Sequence, residues 1–291
     1  MIDVNLRIRP AVLADHEQIA DLILMEQRVH RHLDWRAPLE WLGSQPYFVL
    51  EKGGRFLAAL ACPPDPPSIF WIRLFVFDSI LSDSSAWFPL WEAVRGELAC
   101  FQDATAAVIT PQHWLENILC ESGFVSTQTI VMLEREGQLL ASRPVPEGIR
   151  LRPMTMDDLP RVVEVDAAAF QPLWQNSFPA LRKAFSQAFF ASVAEGESGL
   201  VGYQLSTGNP LGAHLARLAV RPEAQGHGIA FALISDLITR VCRAERSSRL
   251  TVNTQSDNAV SLALYEKIGF HRTGEQYPVY FYREADHGTT R

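Results

Sequence analysis

The sequence is poor in cysteine: Cys62, Cys100, Cys120 and Cys242 are the only four in 291 residues, and no two form a C-x-x-C pair. That spacing argues against a clustered zinc site and against a dense disulfide framework, so no metal is expected. No uninterrupted apolar run approaches the ~18 residues that a membrane span needs. The opening residues, Met1-Ile2-Asp3-Val4-Asn5, hold no basic segment ahead of an apolar one. A cytoplasmic protein with no membrane partner is expected. Excess positive charge is missing too. Residues 1–145 carry 11 Lys and Arg against 18 Asp and Glu, and residues 146–291 carry 15 against 15. Nucleic acid is disfavoured as a partner, because neutralising phosphates with Lys and Arg supplies most non-specific affinity for it.

What is present describes folded domains. The chain is 47% hydrophobic and 20% charged, which is the balance of globular proteins. Its length is about twice that of a common single domain. An internal repeat divides it accordingly. Leu6-Arg7-Ile8-Arg9-Pro10 with Asp15 parallels Leu151-Arg152-Pro153 with Asp157 and Asp158. Near the end of each half, Cys120-Glu121-Ser122-Gly123-Phe124 parallels Glu266-Lys267-Ile268-Gly269-Phe270. The two matches lie 143 and 146 residues apart, which points to duplication with small insertions. The Gly- and Pro-bearing run 137–148 lacks any period and suits a linker. The expected domains are 1–145 and 146–291.

Apolar spacing sets the coarse elements of the second half. Helices are expected over 157–169, 181–193, 231–243 and 258–267, and strands over 199–205, 213–220, 249–254 and 279–283. The first half reads similarly, with strands over 46–51, 55–61, 69–77, 105–110 and 127–134 and helices over 86–100 and 112–121. The class is mixed α/β.

Chemistry concentrates after the strand ending Leu218-Ala219-Val220, in the turn Gln225-Gly226-His227-Gly228-Ile229-Ala230. Glycines ahead of an apolar helix let backbone amides approach an anion, and the positive end of the helix dipole favours it there. A Walker loop would need Gly-Lys-Ser/Thr, which is absent, and a dinucleotide fold would want a third glycine where Phe231 stands. A second motif runs from Asn253 through Ser256, Asp257, Asn258 and Ser261 to Tyr265, four residues before Gly269-Phe270. Ser256 or Asp257 is placed to cap its helix.

These two motifs resemble those of the GNAT superfamily of N-acetyltransferases. Gln225, Gly228 and Ala230 fill the three defined positions of that family's Gln/Arg-x-x-Gly-x-Gly/Ala loop. The resemblance implies two tandem GNAT-like domains, the second active. It implies an acyltransferase that moves an acetyl group from acetyl-CoA directly to a primary amine of a small molecule or peptide. It further implies coenzyme contacts from Leu218, Ala219, Val220, Gln225, Gly226, His227, Gly228, Ile229, Ala230, Asn253, Asn258 and Ser261. In the family, the residue matching Tyr265 stands near the coenzyme sulfur, often as general acid for the leaving thiolate. One or more of Arg221, Arg240, Arg243, Arg246 and Arg249 could meet the ribose phosphate. His214 is the candidate base because its ordinary pKa lies near neutrality, with Glu164, Asp166 and His227 behind it. Strand alternation puts His214 on the face of Ala216 and Leu218 unless a bulge intervenes. In the segment 169–178, Phe170 and Trp174 are candidates for acceptor binding or for interdomain packing. A non-catalytic acyl-CoA sensor is the alternative function, and either a monomer or a homodimer is compatible.

The first half fails the same tests. Its loop after Phe77 offers Asp78 and Asp83 in place of glycines, and Leu119 stands at the tyrosine position. Carboxylates there would repel a pyrophosphate. The run His30-Arg31-His32 reads as a solvated helix end and not as a metal site.

Overall fold

In the computed structural model, residues 6–136, 144–209, 212–243 and 249–283 are described. Residues 137–143 of the expected linker, Arg246 and Met1 to Asn5 lie outside them, as does the side chain of Arg243. The chain separates into two compact units, one of residues 1–127 with 278–291 and one of residues 128–277. The division expected near residue 145 therefore moves. The last strand of each half in sequence order ends in the unit of the other half, an exchange that composition does not encode.

The first unit holds β1 (Leu6–Pro10), α1 (His16–Met25), β2 (Val29–Arg31), β3 (Tyr47–Lys52), β4 (Arg55–Ala61), β5 (Ile69–Trp71) and β6 (Leu74–Phe77). It continues with α2 (Asp83–Leu98), β7 (Thr105–Ile109), α3 (Glu116–Glu121) and the start of β8 (Val125–Arg135). One sheet has the order β1-β3-β4-β6-β2. Separately, β5 runs parallel to β7 over three residue pairs. The second unit carries β9 (Arg150–Pro153), α4 (Leu159–Ala169), α5 (Phe178–Gln187), β10 (Phe190–Gly196), β11 (Gly199–Asn209), β12 (Gly212–Val220), α6 (Ile229–Arg243), β13 (Leu250–Gln255) and α7 (Ala259–Ile268). The final strand β14 (His271–Arg283) begins in this unit, and its residues 279–283 pair with β7 in the first. Residues 130–135 of β8 pair with β13, so the sheet of the second unit reads β8-β13-β12-β11-β10-β9.

The expected single strand 69–77 is split, since β5 and β6 pair with different partners. The expected helix 181–193 ends at Gln187, and Phe190 to Val193 are strand residues paired with β11. Ser177 starts that helix earlier than expected, accepting a hydrogen bond from the Ala180 amide.

The repeat seen in the sequence is a repeated clamp in the structure. Arg9 Nη1 donates to Asp15 at 2.7 Å and its Nε to Glu51 at 3.1 Å. Arg152 does the same to Asp158 at 2.7 Å and to Glu195 at 3.0 Å. In each unit this arginine ties the first strand to the start of the first helix. The Asp158 carboxyl is held down at about 2, chiefly by its hydrogen bonds from Arg152. The core under α6 and α7 is a cluster including Leu215, Ile234, Leu237, Val252, Leu262, Tyr265 and Phe270.

Candidate active site

A bulge and a split in the sheet of the second unit create the site. The β11–β12 register shifts between Leu205, opposite Arg217, and Ser206, opposite Leu215, leaving Ala216 as the extra residue. The alternation therefore flips. His214 shares a face with Arg217 and Ala219, and not with Leu218 as simple alternation predicts. On its other edge, β12 pairs in parallel with β13 over Ala213, His214 and Leu215 only. Beyond that point the two strands diverge.

The peptide groups along the opened edge have a definite direction. Arg221 N donates to Val201 O at 2.8 Å. Counting back by twos along an antiparallel ladder turns the N–H and C=O of Leu218 and Val220 away from β11, toward the side that β13 has left. Gln225 Nε2 donates to Val220 O at 3.0 Å and pins the start of the glycine turn to the strand. Gly226 and Gly228 have φ of +80° and +83°, the left-handed region that favours glycine, and a Cβ on Gly226 would meet nothing within 4 Å. The turn is exposed from Gln225 to Gly228, and α6 begins at Ile229. Its first-turn amides have no intrahelical acceptor.

A cavity of about 1350 Å³ opens here. Leu218, Ala219, Val220, Gln225, Gly226, His227, Gly228, Ile229 and Ala230 border it, as do Asn258, Ser261, Phe170 and Trp174. Asn258, and neither Ser256 nor Asp257, is the cap of α7, its side chain accepting from Ser261 N at 3.1 Å. From there α7 presents Ser261, Leu264 and Lys267 to the cavity, while α6 presents Phe231, Ser235 and Thr239. The glycine turn and the groove leading from it thus have the shape for an extended ligand with an anionic end.

Three expected site residues lie outside the cavity wall. Tyr265 is 5% exposed, its ring packs edge-on against Phe270, and burial pushes its hydroxyl above the usual tyrosine range. It belongs to the apolar cluster that also contains Leu215 and Val252, the last paired residues before the strands part. Asn253 is exposed on β13 opposite Met132. His214 places Nδ1 2.9 Å from Thr251 Oγ1, and burial lowers its pKa.

Sequence reasoning missed the network beneath Phe170. Asp166, fully buried, accepts from Arg217 Nε at 2.8 Å, from Arg217 Nη2 at 2.9 Å, from the Tyr203 hydroxyl and from Asn176 N at 2.8 Å. Arg217 also donates to Trp174 O and lies 3.6 Å from the centre of the Phe170 ring. Asp166 is therefore spoken for as an anchor and not a base. Glu164 pairs with Arg221 at 3.2 Å. Arg221, Arg240 and Arg249 do not border the cavity, being bound to Glu164, Asp236 and Glu134. Among the described residues, the lysine or arginine that does border it is Lys267. Gln128, from β8, was also missed, and its buried Oε1 has no hydrogen-bond partner.

The first unit closes the corresponding cleft. Asp78 N donates to Leu57 O at 2.7 Å, the counterpart of Arg221 to Val201, so Phe75 and Phe77 turn their peptide groups outward. There β2 pairs with residues 74–76 of β6, His30 opposite Phe75. His30 is a fully buried strand residue, not a solvated helix end. Asp78 is 3% exposed and bound to Arg55 at 2.5 Å, and Asp83 is bound to Arg28. Their charges are matched, so the obstruction is a strand and not repulsion.

Comparison with known proteins agrees with this geometry. The family model of the acetyltransferase (GNAT) domain matches residues 159–280. A GCN5-related N-acetyltransferase from Sphaerobacter thermophilus superposes with a TM-score of 0.62 at 18% identity, over 97% of this chain and 96% of that one. A tandem GNAT protein from the clavulanic acid biosynthesis pathway superposes with 0.64 at 17%, over 97% and 100%. A probable N-acyltransferase from Enterococcus faecalis gives 0.70 at 9%, over 95% and 71%. No curated protein sequence matches significantly. Residues 159–280 thus match the acetyltransferase (GNAT) domain, and the chain as a whole has the fold of two GNAT-like domains in tandem.

Proposed function

We propose that the second unit transfers an acetyl group from acetyl-CoA to a primary amine by direct attack, and that the first unit is a scaffold that binds no coenzyme. The observation that carries this is the open edge of β12, with the outward peptide groups of Leu218 and Val220 leading to the glycine turn. An extended amide-bearing arm can pair there as a strand would, with its pyrophosphate at the start of α6. Asn258, Ser261 and the backbone of residues 225–230 hold the same ligand. When bound, the thioester supplies an activated acyl group and a thiolate leaving group.

The remaining steps fall to this chain. The Leu218 N–H is turned to stabilise negative charge on the acyl oxygen. Tyr265, kept protonated by burial, gives a proton to the leaving sulfur. His214 takes the proton of the acceptor amine at Nε2. Thr251 Oγ1, which donates to Ala213 O at 3.4 Å, accepts from Nδ1–H and so fixes that tautomer.

A non-catalytic acyl-CoA sensor is favoured by one observation, that neither Tyr265 nor His214 borders the cavity. Coenzyme titration beside thiol release over an amine panel separates the two readings. The enzyme reading expects turnover that falls roughly 10- to 1000-fold in Tyr265→Phe with coenzyme affinity kept. Binding without turnover of any amine leaves the sensor.

A further inference from the structure

The wall of the cavity at the end of α4 carries chemical information about the acceptor. It consists of Ala169, Phe170, Gln171 and Trp174, none of them charged. Among the described residues, the charged side chains bordering the cavity lie on α6, at the start of α7 and along it: Asp236, Asp257 and Lys267. The carboxylate beneath the aromatic wall is Asp166, which accepts four hydrogen bonds, two of them from the guanidinium of Arg217. It has nothing left for a ligand. On its ring face Phe170 carries that same guanidinium at 3.6 Å, which fixes the ring as a rigid surface.

We infer that the acceptor is an amine carried on an aromatic or otherwise apolar body, and not a polyamine or an aminoglycoside. The inference rests on the acyltransferase reading and narrows it. A polycation entering this wall would shed water from several ammonium groups without meeting a carboxylate, which disfavours it strongly. An aryl or alkyl body instead buries apolar surface against Phe170 and Trp174, with one amine left to react. The wall stays in place because Arg217 Nη2 bonds Trp174 O and Gln175 Nε2 bonds Phe170 O at 2.9 Å.

The test compares phenethylamine and tryptamine with spermidine and kanamycin on the full chain. Two readouts are taken: thiol release from acetyl-CoA, and the melting shift each amine adds when coenzyme A is already present. The aryl amines are expected to show a KM at least about tenfold lower and the larger melting shift. Trp174→Ala should raise the KM of the aryl amines about tenfold, with the melting shift from coenzyme A alone retained. Equal or better use of spermidine, or a Trp174→Ala effect of the same size on every amine, overturns the inference. If no amine turns over, the acyltransferase reading fails, and the melting shifts still decide which amines the wall accepts.

Discussion

The two units differ most where the same stretch of chain was given two conformations. Counting by the 143 residues that separate Arg9 from Arg152, β2 in the first unit corresponds to the 3-10 turn Pro172–Trp174 in the second. In the first, Val29–Arg31 extends and fills the edge of β6. In the second, Pro172 has no N–H to give a ladder and a φ suited to a helical start. The turn curls away, its Trp174 carbonyl is taken by Arg217, and the edge of β12 stays open. The interfaces beneath follow suit. By the same count Asp166 and Arg217 correspond to Ile23 and Leu74, and by strand register Tyr203, opposite Val193 beside Arg152, corresponds to Ala59, opposite Val49 beside Arg9; all three belong to or pack against one apolar cluster. A buried ion pair is seldom the most stable filling of a core. The first unit keeps a buried pair elsewhere, Arg73 with Asp34, but at this interface the pair stands in the unit with the open cleft, which fits a role in holding the acceptor wall.

Breaking that network is expected to have the largest effect. Asp166→Ala strands Arg217 and should cost roughly 3–5 kcal/mol in unfolding free energy. The triple change Asp166→Ile, Tyr203→Phe, Arg217→Leu makes the interface resemble that of the first unit and should recover most of this in denaturant titration, while the KM of the acceptor rises. A triple variant no more stable than the single one would show that the apolar trio of the first unit cannot replace this network.

Next is the glycine turn. Gly228→Asp puts a carboxylate and a strained φ where a pyrophosphate would lie, and coenzyme affinity by calorimetry should fall by about a thousandfold. Wild-type titration should show one site per chain, because β2 already occupies the cleft of the first unit. Two sites would remove the distinction between the units. The melting temperature of the variant without coenzyme separates lost binding from misfolding.

The plug itself carries a pH signature. Burial lowers His30 to about 4, opposed by its Nε2 contact with Ile72 O. A histidine buried neutral takes up its proton in the unfolded chain first. Its contribution is thus full above the ordinary 6.5 and is lost as pH falls from there toward 4. The loss should reach roughly 3 kcal/mol between pH 7 and pH 4. His30→Gln should flatten this part of the stability profile; an unchanged slope would assign it to other groups.

Much of this was legible beforehand for reasons that are local. The repeat, the glycine turn and the β12–α6 passage show in sequence because tight turns and capped apolar helices are written in short windows. The split strand 69–77 was hidden because all nine residues are buried and eight are apolar; the one charged residue, Arg73, stands at the break between β5 and β6. His30 was misread because a buried neutral histidine and a solvated one look alike in sequence. Asp166, Tyr203 and Arg217 are 14 or more residues apart, and only the pairing of β11 with β12, Tyr203 opposite Ala219 and Leu205 opposite Arg217, puts Arg217 on the face of Tyr203.

The smallest expected effect tests how far the two halves depend on each other. Gln128 comes before any boundary that the sequence suggests, yet it borders the cavity of the second unit with an Oε1 that no donor satisfies. A buried carbonyl oxygen left open costs free energy in the unliganded protein, and a ligand N–H that reaches it recovers that cost on binding. Gln128→Leu should therefore act in two directions. The free protein should melt at the same temperature or slightly higher, since an unmet acceptor is replaced by an apolar group. Coenzyme or acceptor affinity should weaken by about threefold to tenfold, the net worth of one hydrogen bond. Titrating coenzyme A and the amine separately tells which ligand supplies the donor. Affinity unchanged for both would show that Oε1 faces no ligand, and the first half would then lend the site a strand but no chemistry.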